Sequence, residues 1–599
     1  MIACRSGLFA GTLALLVIGV GSPALQAQSN DRPVAITDAV IFDATGRAPY
    51  SGTVIIRNGR IAEVGPNARV PSNATIIRAK GKALLPGIFD VHTHWSPTGT
   101  PGNIPQIANR YVANGVTTVN DFHQQPESFA PRRAWLARLV TPHVNFVARM
   151  STPGGHGADW GDTNTTKWVA SADSARREVD ALQPYGPDFI KVFADGWRYG
   201  TQPEETSMNF ETLHALVDEA HKYHERVLTH TVTVERGKIA ARAGVDVIAH
   251  SLQDRVIDAE GISLIKAAGT FYAPTLAIYE PPKAGQPAPA NSDDSAVRQR
   301  LRKWEFAKTN LKALFDAGVP IVLGTDSGIG DAPHGDSTLR EIELLVDAGL
   351  SPTAALLAGT SNSALALGLL SDRGTIESGK RADIVLIDGT PWKNISDVRK
   401  VDRVFIDGKL VFGPGSTPPA ENQMTAMAPV PATPLIDDFE RSDGRSSLDT
   451  LRLSDMDEGV ERSVVVMNLV PRIQGGHALA VAARMSLKDK PEAGVIIPLR
   501  RGSVQPVDAR KFQGIKLELR GKGRYQIVVN TLSGAWKTEI DVADDWSEFV
   551  VPFSSLTKDV RRSEGRAAWR GNDLLQVGVI VRRDAASSTF SEIDNVRFY

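Results

Sequence analysis

The stretch GIFDVHTH, residues 87–94, ends with two histidines two positions apart, His92 and His94. In a β-strand, residues i and i+2 face the same side, so two imidazoles at this spacing could grip one ion. Alone, the pair is as readily two polar residues closing a strand. Four further residues change that reading: Lys191 in DFIKVF, His230 in RVLTHT, His250 in DVIAHS and Asp326 in IVLGTDSG. Singly, each has an ordinary explanation: a salt-bridge lysine, a satisfied histidine, a turn aspartate. All six lie in or at the ends of short apolar runs that follow one another along the chain, which makes a metal site the better reading.

Those runs are the elements that must position the six side chains. GIFDVHTH, GVTTVNDF, HVNFVARM, DFIKVF, RVLTH, GVDVIAH, FYAPTL and PIVLGTD form eight strand candidates. Amphipathic stretches such as ETLHALVDEAHKYHE and RKWEFAKTNLKALFDAG separate several of them. Strands alternating with helices predict a parallel α/β sheet, and eight of them predict a (β/α)8 TIM-type barrel, whose chemistry sits at the C-terminal strand ends. An open doubly wound sheet is the alternative, but no Gly-rich phosphate turn follows the first strand.

The barrel is expected over residues 87–371. Short β-rich segments flank it, at 34–86 and 372–413, and should pair into one small composite β-sandwich domain. In the first of them, the Asn58-Gly59 pair between TVIIR and RIAEV signals a two-residue hairpin turn. Residues 414–434 are rich in Pro and Ala and predict an extended linker. From 435 to 599 the text is β again, in period two, as in an antiparallel sandwich or jelly roll.

The chain has 599 residues, a formal net charge of −1 and 23% charged residues, a balance that gives no support to nucleic-acid binding. Residues 1–27 carry Arg5, an apolar core from Leu8 to Val20 and a small-residue exit at Ala27, the pattern of a cleaved secretory signal peptide. The apolar run is short for a bilayer span, so a stable membrane anchor is the weaker reading. Cys4 is the single cysteine and lies within that segment. The mature chain is therefore expected in the periplasm or outside the cell, without disulfides or sulfur ligands, so its metal site must use nitrogen and oxygen.

The motifs PGIFDVHTH, DFIKV, LTHT, IAHS and GTDS resemble the metal-binding motifs of the amidohydrolase superfamily. The later text HGDSTLREIELLVDAGLSPTAALLAGTSNSALALGL and GTIESGKRADIVLID resembles the segment that closes those barrels. The resemblance spans about residues 34–413 and is greatest to the imidazolonepropionase-like branch with prolidase-like dipeptidases. It implies two divalent metal ions, usually zinc: His92, His94 and Asp326 on the more buried one and His230 and His250 on the more exposed one. A carboxylated Lys191 would bridge the two. The chemistry agrees, since an ammonium cannot ligate a cation whereas a carbamate presents two oxygens. Nitrogen and oxygen donors suit zinc, with manganese, iron and cobalt as alternatives. Such a pair activates water and polarises a carbonyl, and Asp326 would accept the water's proton and pass it to the leaving amine. The expected activity is amide hydrolysis of a small peptide or N-acyl amino acid. A lactonase or esterase on the same metals is the rival within enzymes, and a glycan- or partner-binding protein with a vestigial barrel the rival outside them.

His156, in STPGGHG, matches a TGGHG-like motif of relatives and is expected to polarise the substrate carbonyl or hold its carboxylate. Trp197, Arg198 and Tyr199 follow the fourth strand and could wall a pocket and clamp a carboxylate. His334, beyond the eighth strand, could shape the pocket or orient a helix. The insertion at 280–295 could form a lid. His123, His143, His214, His221 and His224 read as structural. Relatives carry H-A-H-G or H-A-Y after the fifth strand, whereas this chain has His230-Thr231-Val232, so a polar group at the substrate's end is absent. The C-terminal runs resemble the domain of complex I intermediate-associated proteins, itself similar to galactose-binding jelly rolls. That resemblance implies a glycan or protein partner, or a structural and assembly surface compatible with oligomers.

Overall fold

The computed structural model describes residues 32–96, 101–158, 165–196, 206–281, 294–459, 461–559 and 568–599. The expected signal peptide at 1–27, the 197–199 triplet and most of the 280–295 insertion lie outside the described residues.

Seven parallel strands run in chain order around one sheet. They are β1 (Ile88–Thr93), β2 (Val116–Asp121), β3 (His143–Ser151), β4 (Phe189–Phe193), β5 (Arg226–His230), β6 (Val247–Ala249) and β7 (Phe271–Ala273). The eighth position is taken by residues 320–327, which hold both neighbours by hydrogen bonds without a regular ladder. Val322 N–H donates to Tyr272 O (3.0 Å), Asp326 N–H to His92 O (2.8 Å) and His94 N–H to Ser327 O (2.8 Å). Pro320 at its start has no N–H to give, and Asp326 near its end is left-handed (φ 61°), so the segment closes the barrel as an irregular strand. The result is the TIM-type barrel that the alternating runs predict.

Phe89, Val91, Val147, Phe189, Leu228, Val247 and Val322 fill the barrel interior, and Leu367 packs into the same cluster. This apolar plug is the floor on which the polar residues stand. A bulge in β1 sets the phase above it: Asp90 opposes Val119 while Thr93 opposes Asp121, three residues against two. The extra residue lets Val91 serve the floor while His92 and His94 reach the site.

The two flanking β segments share one sheet. Ala83–Pro86 pairs antiparallel with Ile384–Ile387 and parallel with Val34–Ile41. The Asn58-Gly59 turn between Tyr50–Arg57 and Arg60–Gly65 has both residues at positive φ (51° and 76°), as a primed hairpin turn requires. Where this sheet meets the barrel's N-terminal end, His143 Nε2 lies 3.1 Å from Asp383 Oδ2.

The C-terminal unit is a two-sheet sandwich, with Leu574–Arg582 central in one sheet and Ser588–Phe598 central in the other. Its core is separate, built on residues such as Ile515, Leu517, Ile527, Val529, Val577 and Ile593. The Pro/Ala-rich connection before it contains the short helical turn Ala420–Gln423 and is tied to the barrel. Asn422 is buried, takes a hydrogen bond from Val140 N (2.8 Å) and donates to Val140 O and Asn109 Oδ1 (2.8 Å each). No described helix is long and apolar enough to cross a membrane.

Candidate metal centre

The C-terminal ends of β1, β5, β6 and the eighth segment converge, and Lys191 joins them from within β4. His94 Nε2 lies 2.9 Å and His92 Nε2 3.3 Å from the same oxygen, Asp326 Oδ1. Lys191 Nζ is 3.1 Å from His92 Nε2. The His92 and His250 rings are 4.6 Å apart, His250 and His230 4.3 Å, and His230 and His156 4.1 Å. All six residues assigned to metals by sequence therefore lie in one cluster, with His156 beside it, stacked on Phe193 at 5.0 Å.

Backbone strain accompanies this convergence. His250 (φ 79°) and Asp326 (φ 61°) are both left-handed, a conformation few non-glycine residues adopt, and so is Thr275 (φ 45°). Thr275 Oγ1 lies 3.0 Å from His250 Nδ1, which turns the ring's other nitrogen toward the centre. Gly328 allows the closing loop to pass His94, since a Cβ there would overlap the His94 carbonyl oxygen.

Burial shapes the electrostatics. It pushes the His92 and His156 imidazoles down to about 3, with Lys191 adding to the effect. Burial and neighbouring histidines hold His230 and His250 well below the usual imidazole range. The four rings are thus neutral at physiological pH, with lone pairs available. Burial also lowers the Lys191 amine to about 7, Asp326 opposing and Arg149 assisting. For Asp326, burial acts upward, but the hydrogen bonds from His92 and His94 outweigh it and hold the carboxyl well below its ordinary value.

The donor set fits divalent metal ions. The His230 Nε2 and His92 Nδ1 atoms are buried without a hydrogen-bond partner, and at His230 this leaves a nitrogen that a cation would satisfy. His92, His94 and Asp326 alone bring three ligand atoms within 4.8 Å of one another.

Outside the cluster, His334 is buried and braces the closing loop. Its Nδ1 lies 3.0 Å from the Tyr111 hydroxyl, which is 2.6 Å from Ser327 Oγ. Val232, two residues after His230, is buried, and its N–H donates to the Asp195 carboxylate.

Two residues near the ligands escape the sequence reading. His123 Nδ1 lies 3.0 Å from His94 Nδ1, so a histidine read as structural touches a candidate ligand. Its signal was its place just past the end of the second strand. Arg149 is buried opposite Lys191 in the β3–β4 register, and its Nη1 is 3.5 Å from His123 Nδ1. It sits inside a strand rather than at its end, so only the pairing reveals it.

A barrel whose strand ends carry this nitrogen and oxygen cluster defines a metal-dependent hydrolase architecture, and comparison with known proteins gives the family. Residues 83–411, more than half of the chain, match the model of the amidohydrolase family, and the chain belongs to that family. It is 25% identical over 456 residues to ochratoxinase from Aspergillus niger, covering 67% of this chain and 91% of that one. It is 24% identical over 422 residues to imidazolonepropionase from Symbiobacterium thermophilum, covering 63% and 92%. Among solved structures, a Xaa-Pro dipeptidase with bound methionine in its active site shares the fold (TM-score 0.55, 23% identity, 64% of this chain and all of that one). The protein is a hydrolase acting on carbon–nitrogen bonds of amide type in a small-molecule substrate.

Proposed function

We propose that this chain is an exported amidohydrolase that holds two divalent metal ions, zinc by its donor set, and cleaves the amide bond of a small peptide or N-acyl amino acid. The observation that carries this reading is the shared approach of His94 and His92 to Asp326 Oδ1, at 2.9 and 3.3 Å, with Lys191, His230 and His250 in the same cluster. His92, His94 and Asp326 would hold one ion, and His230 and His250 the other. Lys191 would join them as a carbamate, an oxygen donor, because an ammonium 3.1 Å from His92 Nε2 would repel a cation there, whereas a carbamate would attract it.

When bound, such a pair supplies an acidified water and a Lewis acid for the scissile carbonyl. The chain's own groups do the rest. Asp326, which would face the ion with one oxygen beside the two histidines, would use the other to take the water's proton and return it to the leaving amine. His156, neutral and stacked on Phe193, lies beside the His230 end, where a carbonyl or carboxylate oxygen of the substrate would meet its N–H. The leader at 1–27 supports a periplasmic or secreted location, and the C-terminal sandwich supports a glycan or protein partner.

The test is turnover of matched dipeptides, N-acyl amino acids, esters and lactones by the purified mature chain, before and after chelation. Amide turnover that disappears with the metals and returns with zinc is expected. Turnover of esters or lactones alone, or chelator-independent amide cleavage, would overturn the reading.

A further inference from the structure

Among the described residues the C-terminal sandwich grips the barrel on the loop that leaves β2 and on Thr166–Trp168, the short strand that follows the loop after β3. After β2, the short turn Pro126–Ser128 carries Glu127, whose buried carboxylate is forked by Arg445 (Nη2–Oε1 2.5 Å, Nη1–Oε2 3.2 Å). Arg501 Nε adds a third contact, 3.3 Å from Oε2. Beside it Gly502 (φ 61°) packs so closely that a Cβ would overlap the Ser128 backbone. After β3, the Arg462 guanidinium lies 4.2 Å from the centre of the Trp168 ring.

The first of these loops also carries His123. Its near end is fixed by Asp121, whose carboxylate accepts from His123 N (3.0 Å), Trp95 N (3.1 Å) and Gln124 Nε2 (2.8 Å). Its far end is Glu127, four residues on, in the arginine fork. Between the two anchors His123 meets His94 at 3.0 Å, nitrogen to nitrogen, through the Nδ1 that is not facing Asp326. A ligand histidine is oriented by the group on its other ring nitrogen, and loss of such a partner costs about 10–100-fold in metal affinity.

We infer that the C-terminal domain is a working part of the metal site: Arg445 and Arg501, by clamping Glu127, hold the 121–128 loop so that His123 keeps the His94 ring in its ligating orientation. Glu127 and His123 are positioning residues that touch neither metal nor substrate. The inference rests on the metal reading above and extends it to a domain that the family match, ending at residue 411, does not include.

The experiment is a zinc-affinity cycle on the full-length mature chain, by competition with a chromophoric chelator. It compares the parent, Glu127→Gln, His123→Ala and the double variant. Glu127→Gln should weaken zinc binding about tenfold or more and add nothing further in the His123→Ala background, because its effect passes through that ring. Parent-like affinity in Glu127→Gln, or an equal loss in both backgrounds, would overturn the inference while leaving the metal reading intact. A parent chain that binds no zinc would overturn both. Should Glu127→Gln fail to fold, Arg445→Lys keeps the charge and loses the fork. It should then show the same affinity loss in smaller measure, again only when His123 is present, and parent-like affinity there would likewise overturn the inference.

Discussion

His94 and Asp326 meet at 2.9 Å across the seam where the barrel closes, one from the first strand and the other from the irregular eighth segment. Three backbone hydrogen bonds bind that seam, Val91 N–H to Leu323 O, Asp326 N–H to His92 O and His94 N–H to Ser327 O, each 2.8 Å. The contact that assembles the site and the contacts that complete the fold are therefore the same few residues.

Asp326→Asn should separate these roles. The amide keeps size and the backbone seam, but it can neither carry the negative charge that binds a cation nor relay a proton. We expect kcat to fall by about 10²–10⁴-fold with folding retained, measured by amide turnover alongside circular dichroism. An active variant would remove Asp326 from the chemistry.

Gly328→Ala tests the close passage of the loop behind the site. At φ +94° a side chain is strained, and its Cβ would overlap the His94 carbonyl oxygen and press on the His334 ring. The expected outcome is a loss of about 2–4 kcal/mol in denaturant unfolding and loss of metal retention. Stability and metal content equal to the parent would show that the loop has room to move.

Glu225 offers a pH test away from the metals. Burial raises its carboxyl from the ordinary value to about 7, against the Gln183 amide that donates to both oxygens at 3.2 Å. A carboxyl whose folded pKa lies above its unfolded value binds more protons when folded. Stability is thus lost as pH rises from about 4.5 to about 7. Glu225→Gln abolishes this titration. Its stability relative to the parent should rise by about 1–2 kcal/mol between pH 5 and pH 8, allowing for screening by nearby solvent. Parallel pH curves for the two proteins would contradict the assignment.

Asn422→Ala addresses the connection between barrel and sandwich. The substitution leaves the Val140 N–H and C=O without partners, at an expected cost of about 2–4 kcal/mol. Limited proteolysis should then cut within residues 414–434, which the parent should resist.

Much of this was legible in the sequence because the chemistry lies at strand ends and strands announce themselves by apolar runs. Lys191, His230, His250 and Asp326 each sit in or close such a run, and alternation within β4 alone suffices to aim Lys191 inward. The β1 histidines were found by a simpler rule than the one that operates. Alternation gives them a common face, but turning that face into the barrel above Val91 takes a bulge between Asp90 and Thr93, which strand periodicity does not reveal. His123 was missed because a single histidine after a strand has many uses, and only the fold brings it against His94. The 414–434 segment reads as a linker from Pro and Ala content. What ties it down is Asn422, through partners at 109 and 140 that no local pattern connects to it.

The central claim is a pair of metal ions bridged by Lys191, and its most direct test is metal content per protomer of the purified mature chain beside Lys191→Ala. The account predicts close to two metal ions in the parent, and loss of one or both when the bridging side chain is removed. One metal ion unaffected by the substitution, or none after reconstitution with zinc and bicarbonate, would contradict it.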